Sequence, residues 1–217
     1  MTPMLAFLGS WFDANESLIQ NILIYSLLAL SVQVALRCGV FSLASIGFYA
    51  IASYAAAVLV SKHGWATVPA VTIAVAACGV LGWLLAWLLV RLRDLYLAMA
   101  TVAFDLMVGV VALNWDSVTG GPIGLFGIPI TMTTLGMFLT VVVVAALLAL
   151  MERRAMGRTY EAVREDEELA QTFAVDTARF RRFAFVVSSM LGALAGAYHG
   201  LLFSTVTAED ARFNLIV

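Results

Sequence analysis

Six times along its 217 residues this sequence runs for about 18 to 24 positions on mostly apolar side chains, and each run ends at a short polar or Gly/Pro break. An α-helix needs about 20 such residues to cross the hydrocarbon core of a bilayer. The runs are 18–36, 41–60, 67–90, 95–113, 134–151 and 181–203, separated by Arg37-Cys38-Gly39, Ser61–Gly64, Arg91–Asp94, Asn114–Pro129 and Glu152–Arg182. Apolar and aromatic residues make up 63% of the chain, charged residues only 12%, and mean hydropathy is +0.98. One water-soluble core cannot hide that much apolar surface when a soluble domain carries about 25% charge. The fold class read from this pattern is all-α, a polytopic bundle of about six membrane spans. No internal repeat or low-complexity linker divides it, so residues 1–217 read as one membrane domain.

Lys and Arg orient the bundle. Arg37, Arg91, Arg93, Arg153, Arg154, Arg158, Arg164, Arg179, Arg181 and Arg182 fall in alternate loops, and only Lys62 and Arg212 fall on the other side. The Arg-rich loop of about 152–182 is therefore cytoplasmic, and the Gly/Pro loop of about 114–133 faces outward, as does the N-terminus. Residues 1–17 contain Asp13 and Glu16 and no Lys or Arg, unlike a cleaved signal peptide, so the first span reads as an uncleaved signal-anchor. The last residues, Phe213-Asn214-Leu215-Ile216-Val217, read as the start of a further apolar segment, an expectation of a chain that continues. With no basic stripe outside one loop, nucleic acid is excluded as a partner. Cys38 and Cys78 read as packing residues, and His63 and His199 as structural rather than as metal ligands.

The cytoplasmic loop has a helical pattern. Ala162, Leu169 and Phe173 fall on one face, Arg164 and Glu168 sit four apart and can pair, and Asp176 is placed to cap the helix that runs into the last span. Two readings stand: a solvated interhelical loop, or a coupling helix seated in a groove of a cytoplasmic motor subunit. Four glycines and two prolines between Asn114 and Pro129 imply a specific non-helical path, tolerated at membrane depth only when buried in protein or lining a cavity. The candidate pathway residues are Thr101 and Asp105 in the fourth span, Asn114 closing that helix at its outer end, and Thr119, Gly120 and Gly121 beyond it. Asp105 lies in mid-span, where a carboxylate costs a few kcal/mol and must face the bundle interior or a wet cavity. A pathway role and a structural hydrogen-bonding role both fit it. Gly192, Gly196 and Gly200, four apart in the last span, form a smooth stripe for close helix packing.

Four segments, in order and spacing over roughly residues 25–210, resemble the permease subunits of branched-chain amino acid ABC importers, the LivM type. Leu95–Phe104 is similar to that family's YLAIATLAF. Thr119-Gly120-Gly121-Pro122 with Gly124-Leu125 and Gly127-Ile128-Pro129 resembles its TGGPNGL-x-GIP. Gly157-Arg158 followed by Glu161–Glu167 resembles GRALRAIREDE, and Ala184-Phe185 with Ser188-Ser189 and Leu194–Ala197 resembles AFVLSAALAGLAGA. Four positions depart: Ser45 stands where the family usually has His, Ala50 and Ala52 where glycines are common, and Leu106 at its acidic position, with Asp105 just before.

The resemblance implies a permease of the cytoplasmic (inner) membrane that works with a second permease subunit, two cytoplasmic ATPases and an external solute-binding protein. It implies no cofactor on this chain, with ATP and Mg on the partner ATPases. Gly157, Arg158, Glu161, Ala162, Arg164, Glu165, Asp166 and Glu167 would be the ATPase-coupling loop, and 119–129 would lie at the outer mouth. Leu, Ile and Val are the family's usual substrates, with urea and short amides carried by similar permeases. Two other classes fit less of the sequence. A secondary transporter would show paired half-helices and several buried charges. An intramembrane enzyme would have to join Ser188 or Ser189 to His199, about three turns away.

Overall fold

The computed structural model describes residues 2–89, 92, 94–130, 132–153 and 176–207. The described helices are α1 (Thr2–Arg37), α2 (Ser45–Ser61), α3 (Thr67–Leu89), α4 (Asp94–Asn114), the single turn α5 (Asp116–Thr119), α6 (Thr134–Arg153) and α7 (Thr177–Phe203). A two-stranded antiparallel ribbon joins β1 (Leu125–Phe126) to β2 (Thr205–Val206). Among the described residues, five helices are long and apolar enough to cross a membrane: α1 from Asn15, α3, α4 from Leu95, α6 and α7.

The second apolar run becomes a shorter helix than its hydropathy suggests. α1 ends in a glycine stop. Gly39 takes φ +68, Gly39 N–H donates to Leu36 and Val40 N–H donates to Ala35. That is the paired closure typical of a left-handed residue after a helix. Residues 40–44 are not helical, and α2 has only 17 residues, about 25 Å at 1.5 Å per residue. It is tolerated because twelve of those residues are buried, so protein rather than lipid surrounds it.

α2 and α7 form the centre, α1 and α3 pack against α7, and α4 leans on α2. Parallel packing of α2 on α7 follows from small residues. A Cβ on Gly192 would lie 2.6 Å from the Ser45 carbonyl, one on Gly196 would overlap the Tyr49 carbonyl, and one on Gly200 would lie 3.1 Å from the Ser53 carbonyl. The glycine stripe therefore rides on every fourth carbonyl of α2, where bare backbone lets two helices approach closely. On α3, Gly82 plays the same part, since a Cβ there would overlap Ser189 Oγ.

α6 is attached differently. At one end, Gln20 Nε2 donates to Thr134 Oγ1 (2.9 Å), which donates to Glu16 Oε1 (2.6 Å). At the other end, Arg37 pairs with Glu152 at 2.9 Å. Between these staples most of its side chains face outward, while Met137 is buried and Val141 and Val144 pack against residues of α1 and α7. Trp65 and Trp87, both exposed, bracket α3 about 33 Å apart along the helix, matching the hydrocarbon core and its interfacial tryptophan belts.

Candidate functional site

The start of α2 sits inside the protein with its first amides pointing away from any helical partner, as at every helix N-terminus. α4 supplies the acceptors from two residues one turn apart. Thr101 Oγ1 accepts from Leu43 N–H (3.1 Å) while donating to Ala98 (2.9 Å), and Asp105 Oδ1 accepts from Gly47 N–H (2.9 Å). Both side chains are buried, Asp105 to 1% exposure, and Asp105 Oδ2 has no partner among the described residues. A carboxylate at this end also complements the positive pole of the helix dipole. Gly47 makes the approach possible, because a Cβ there would lie 2.6 Å from Asp105 Oδ1 and 2.7 Å from the Phe104 ring.

Beside this junction three hydroxyls from three helices converge. Ser31 Oγ of α1 donates to Ser45 Oγ of α2 (2.7 Å) and lies 2.9 Å from the Ser188 carbonyl of α7. Ser188 Oγ is 3.3 Å from Ser31 Oγ and 3.2 Å from Ser45 Oγ. All three residues are buried. The hydroxyls bond to one another and to a carbonyl, an arrangement that ties helices together rather than activating a nucleophile. Sequence reasoning noted Ser45 and Ser188 separately and missed Ser31. A serine within an apolar run was the available signal.

At the other end of α4 the Gly/Pro loop is a folded cap. Thr119 Oγ1 lies within donating distance of the Ala112 and Trp115 carbonyls (2.7 and 2.8 Å) and accepts from Gly121 N–H (3.2 Å). Gly120 and Gly121 take φ of +75 and +60, a region that favours glycine. The chain then pairs with the end of α7. Leu125 stands opposite Val206, Phe126 opposite Thr205, and Ser204 Oγ donates to the Ile128 carbonyl (2.6 Å). Lys62 Nζ, just beyond α2, donates to the Ser117 carbonyl (2.8 Å). The cap thus links the C-terminal ends of α2, α4 and α7. Asn114 is exposed and donates to Val110 of its own helix (2.7 Å).

The six candidate pathway residues therefore form two groups rather than one site. Thr101 and Asp105 hold the start of α2, while Asn114, Thr119, Gly120 and Gly121 lie in or beside the cap. Thr101 and Asn114 are about 20 Å apart along α4. Gly157, Arg158, Glu161, Ala162, Arg164, Glu165, Asp166 and Glu167 lie outside the described residues. The described flanks of their loop are anchored. Asp176 caps α7 by accepting from Arg179 N–H (3.0 Å), and Arg181 Nη2 donates to the Leu92 carbonyl (3.2 Å).

Residues 16–217 match the profile of a protein family described as the branched-chain amino acid transport system, permease component. Two curated relatives are permease proteins LivM of high-affinity branched-chain amino acid transport systems. The one from Escherichia coli (strain K12) is 29% identical and the one from Salmonella typhimurium (strain LT2) 28%, each alignment covering 88% of this chain and 53% of the relative. The chain spans about half the length of these relatives. No solved structure matches it significantly.

Proposed function

The chain belongs to the family of branched-chain amino acid transport permeases and is a multi-pass protein of the cytoplasmic membrane, and we propose that it lines the translocation pathway of an ABC importer for leucine, isoleucine and valine. The observation that carries this reading is the family match over residues 16–217. The assembly we propose has a second permease subunit, two cytoplasmic ATPases and an external solute-binding protein. ATP and Mg are handled by the ATPases, and this chain is not itself an enzyme.

In this reading the loop holding Gly157, Arg158, Glu161, Ala162, Arg164, Glu165, Asp166 and Glu167 receives the ATPase stroke. Its two described flanks are the end of α6, paired to α1 through Glu152 and Arg37, and the capped start of α7. Displacement at the loop would reach the α2–α7 core directly through α7, whose glycines rest on α2. The outer cap, tied to the far end of α7, would follow. Such coupling requires packed elements with two discrete arrangements rather than a continuously deforming body.

The test is ATP-driven uptake of labelled leucine by the complete transporter in proteoliposomes, with Arg164→Ala and Glu165→Ala as variants. The expected result is loss of uptake in both variants with membrane insertion intact. Uptake that proceeds without the ATPases would instead support a gradient-driven carrier.

A further inference from the structure

α7 enters the bundle through two adjacent arginines whose guanidinium groups are treated differently. Arg181 is buried, and its Nη2 donates to the Leu92 carbonyl between α3 and α4 (3.2 Å). Arg182 is half-buried, and its Nε is shut away from solvent without an acceptor among the described residues. A guanidinium is always charged and carries five donors. Withdrawing one from water without a partner is costly, so Arg182 calls for an anion from outside the described residues.

The depth of Arg182 selects that anion. It lines a crevice with Ala86 and Leu89, which stand on either side of Trp87 in α3. Trp87 is exposed and belongs to the interfacial belt, so Arg182 lies at the level where lipid headgroups begin. The crevice holds about 10 Å³, room for one water at most, so the anion reaches the guanidinium from outside the bundle. The surface beside it is apolar, with Leu88 of α3 and Phe183 and Met190 of α7 exposed. A second copy of this chain is a poor occupant. Among the described side chains at this end, Glu152 is paired with Arg37 and Asp176 with Arg179, which leaves neither carboxylate free. A phospholipid brings both halves of the complement, a phosphate for the charge and acyl chains for the apolar face. From this geometry we infer that Arg182, with the adjoining faces of α3 and α7, is a binding site for an anionic phospholipid. A phosphate oxygen accepts from the guanidinium, and the acyl chains lie along Leu88 and Met190. Basic groups between membrane helices at the headgroup level are suited to that chemistry.

The complete transporter in detergent tests it, by native mass spectrometry and thermal unfolding, with phosphatidylglycerol as the probe and net-neutral phosphatidylcholine as the comparison. Phosphatidylglycerol is expected to be retained and to raise the unfolding midpoint, and phosphatidylcholine to do neither. Arg182→Gln should weaken phosphatidylglycerol binding about fivefold, the worth of one basic residue at an anionic surface. Arg179→Gln, at an exposed arginine paired with Asp176, should leave it unchanged. Equal affinity of Arg182→Gln and the unmodified protein overturns the inference, as does equal binding of the two lipids. The unmodified chain gives a second readout that does not require the variant to fold. Phosphatidylglycerol with a photoactivatable diazirine in its acyl chain should label the peptide around Met190. Excess phosphatidylglycerol should compete, whereas phosphatidylcholine and inorganic phosphate should not. Labelling confined to other helices, or competition by either of those two, overturns the inference. Labelling of the isolated chain that disappears in the complete transporter means that a partner subunit covers this face, and overturns it as well.

Discussion

α6 and α7 invert the relation between apolarity and burial that holds in water. α6 has a mean hydropathy of 2.6 over its span, yet 6% of that span is buried; α7 has 1.5 and 72%. In water the more apolar helix goes inside. In a bilayer the acyl chains solvate Leu and Val as well as a protein core does, so apolarity gives no reason to be buried. What draws a helix inward is close backbone contact and hydrogen bonding that lipid cannot offer. α7 has both, through Gly192, Gly196, Gly200 and Ser188. α6 has polar contacts to α1 at its two ends and one to α7, from Thr140 Oγ1 to the Tyr198 hydroxyl (2.8 Å).

The sharpest way to break this contrast is to add volume where it should not fit. Gly196→Leu drives a side chain into the Tyr49 carbonyl and should destabilise the bundle by more than about 3 kcal/mol, since neither backbone can yield. Thermal unfolding in detergent measures it. Retained stability would mean that α7 can slide away from α2. The reciprocal test puts charge where only lipid is expected. Val143→Arg on α6 should lower membrane insertion by about 2.5–3.5 kcal/mol in a glycosylation-mapping assay. Unchanged insertion would place Val143 against water or a polar partner.

Smaller changes sharpen the same comparison at the polar contacts. Asp105→Ala leaves Gly47 N–H unpaired inside the protein and should cost about 1–3 kcal/mol, whereas Asp105→Asn keeps an acceptor and should recover most of it. Equal loss in both variants would show that the charge, not the hydrogen bond, matters. Ser31→Ala removes one member of the hydroxyl cluster and should cost about 0.6 kcal/mol and at most about 1.7, the range measured for hydrogen bonds between membrane helices. A larger loss would mean the three serines act cooperatively.

Hydropathy made the spans legible because solvation by lipid is a property of each residue alone. It placed α3, α4 and α6 to within a few residues. It missed the non-helical stretch before α2, because Phe41-Ser42-Leu43 is as apolar as a helix and hydropathy does not report whether amides have partners. The glycine spacing in α7 was visible, but not that Ser45, Tyr49 and Ser53 would be its seat. Long-range pairs were the least legible part. Ser31 meets Ser188 across 157 positions, and nothing in either neighbourhood names the other. The candidate site was legible as two motifs, the Gly/Pro loop and a mid-span Asp, but their separation along α4 emerged only from the structure.

The dependence of α2 on α4 also sets a timetable for synthesis. The acceptors for Leu43 and Gly47 are 58 residues downstream of their donors. At about 5–20 residues per second, roughly 3–12 s of translation separate the two. During that interval the start of α2 has no protein acceptor, and lipid offers none. Until then water must satisfy those amides, so the start of α2 reaches its final seat in the protein only after α4 arrives.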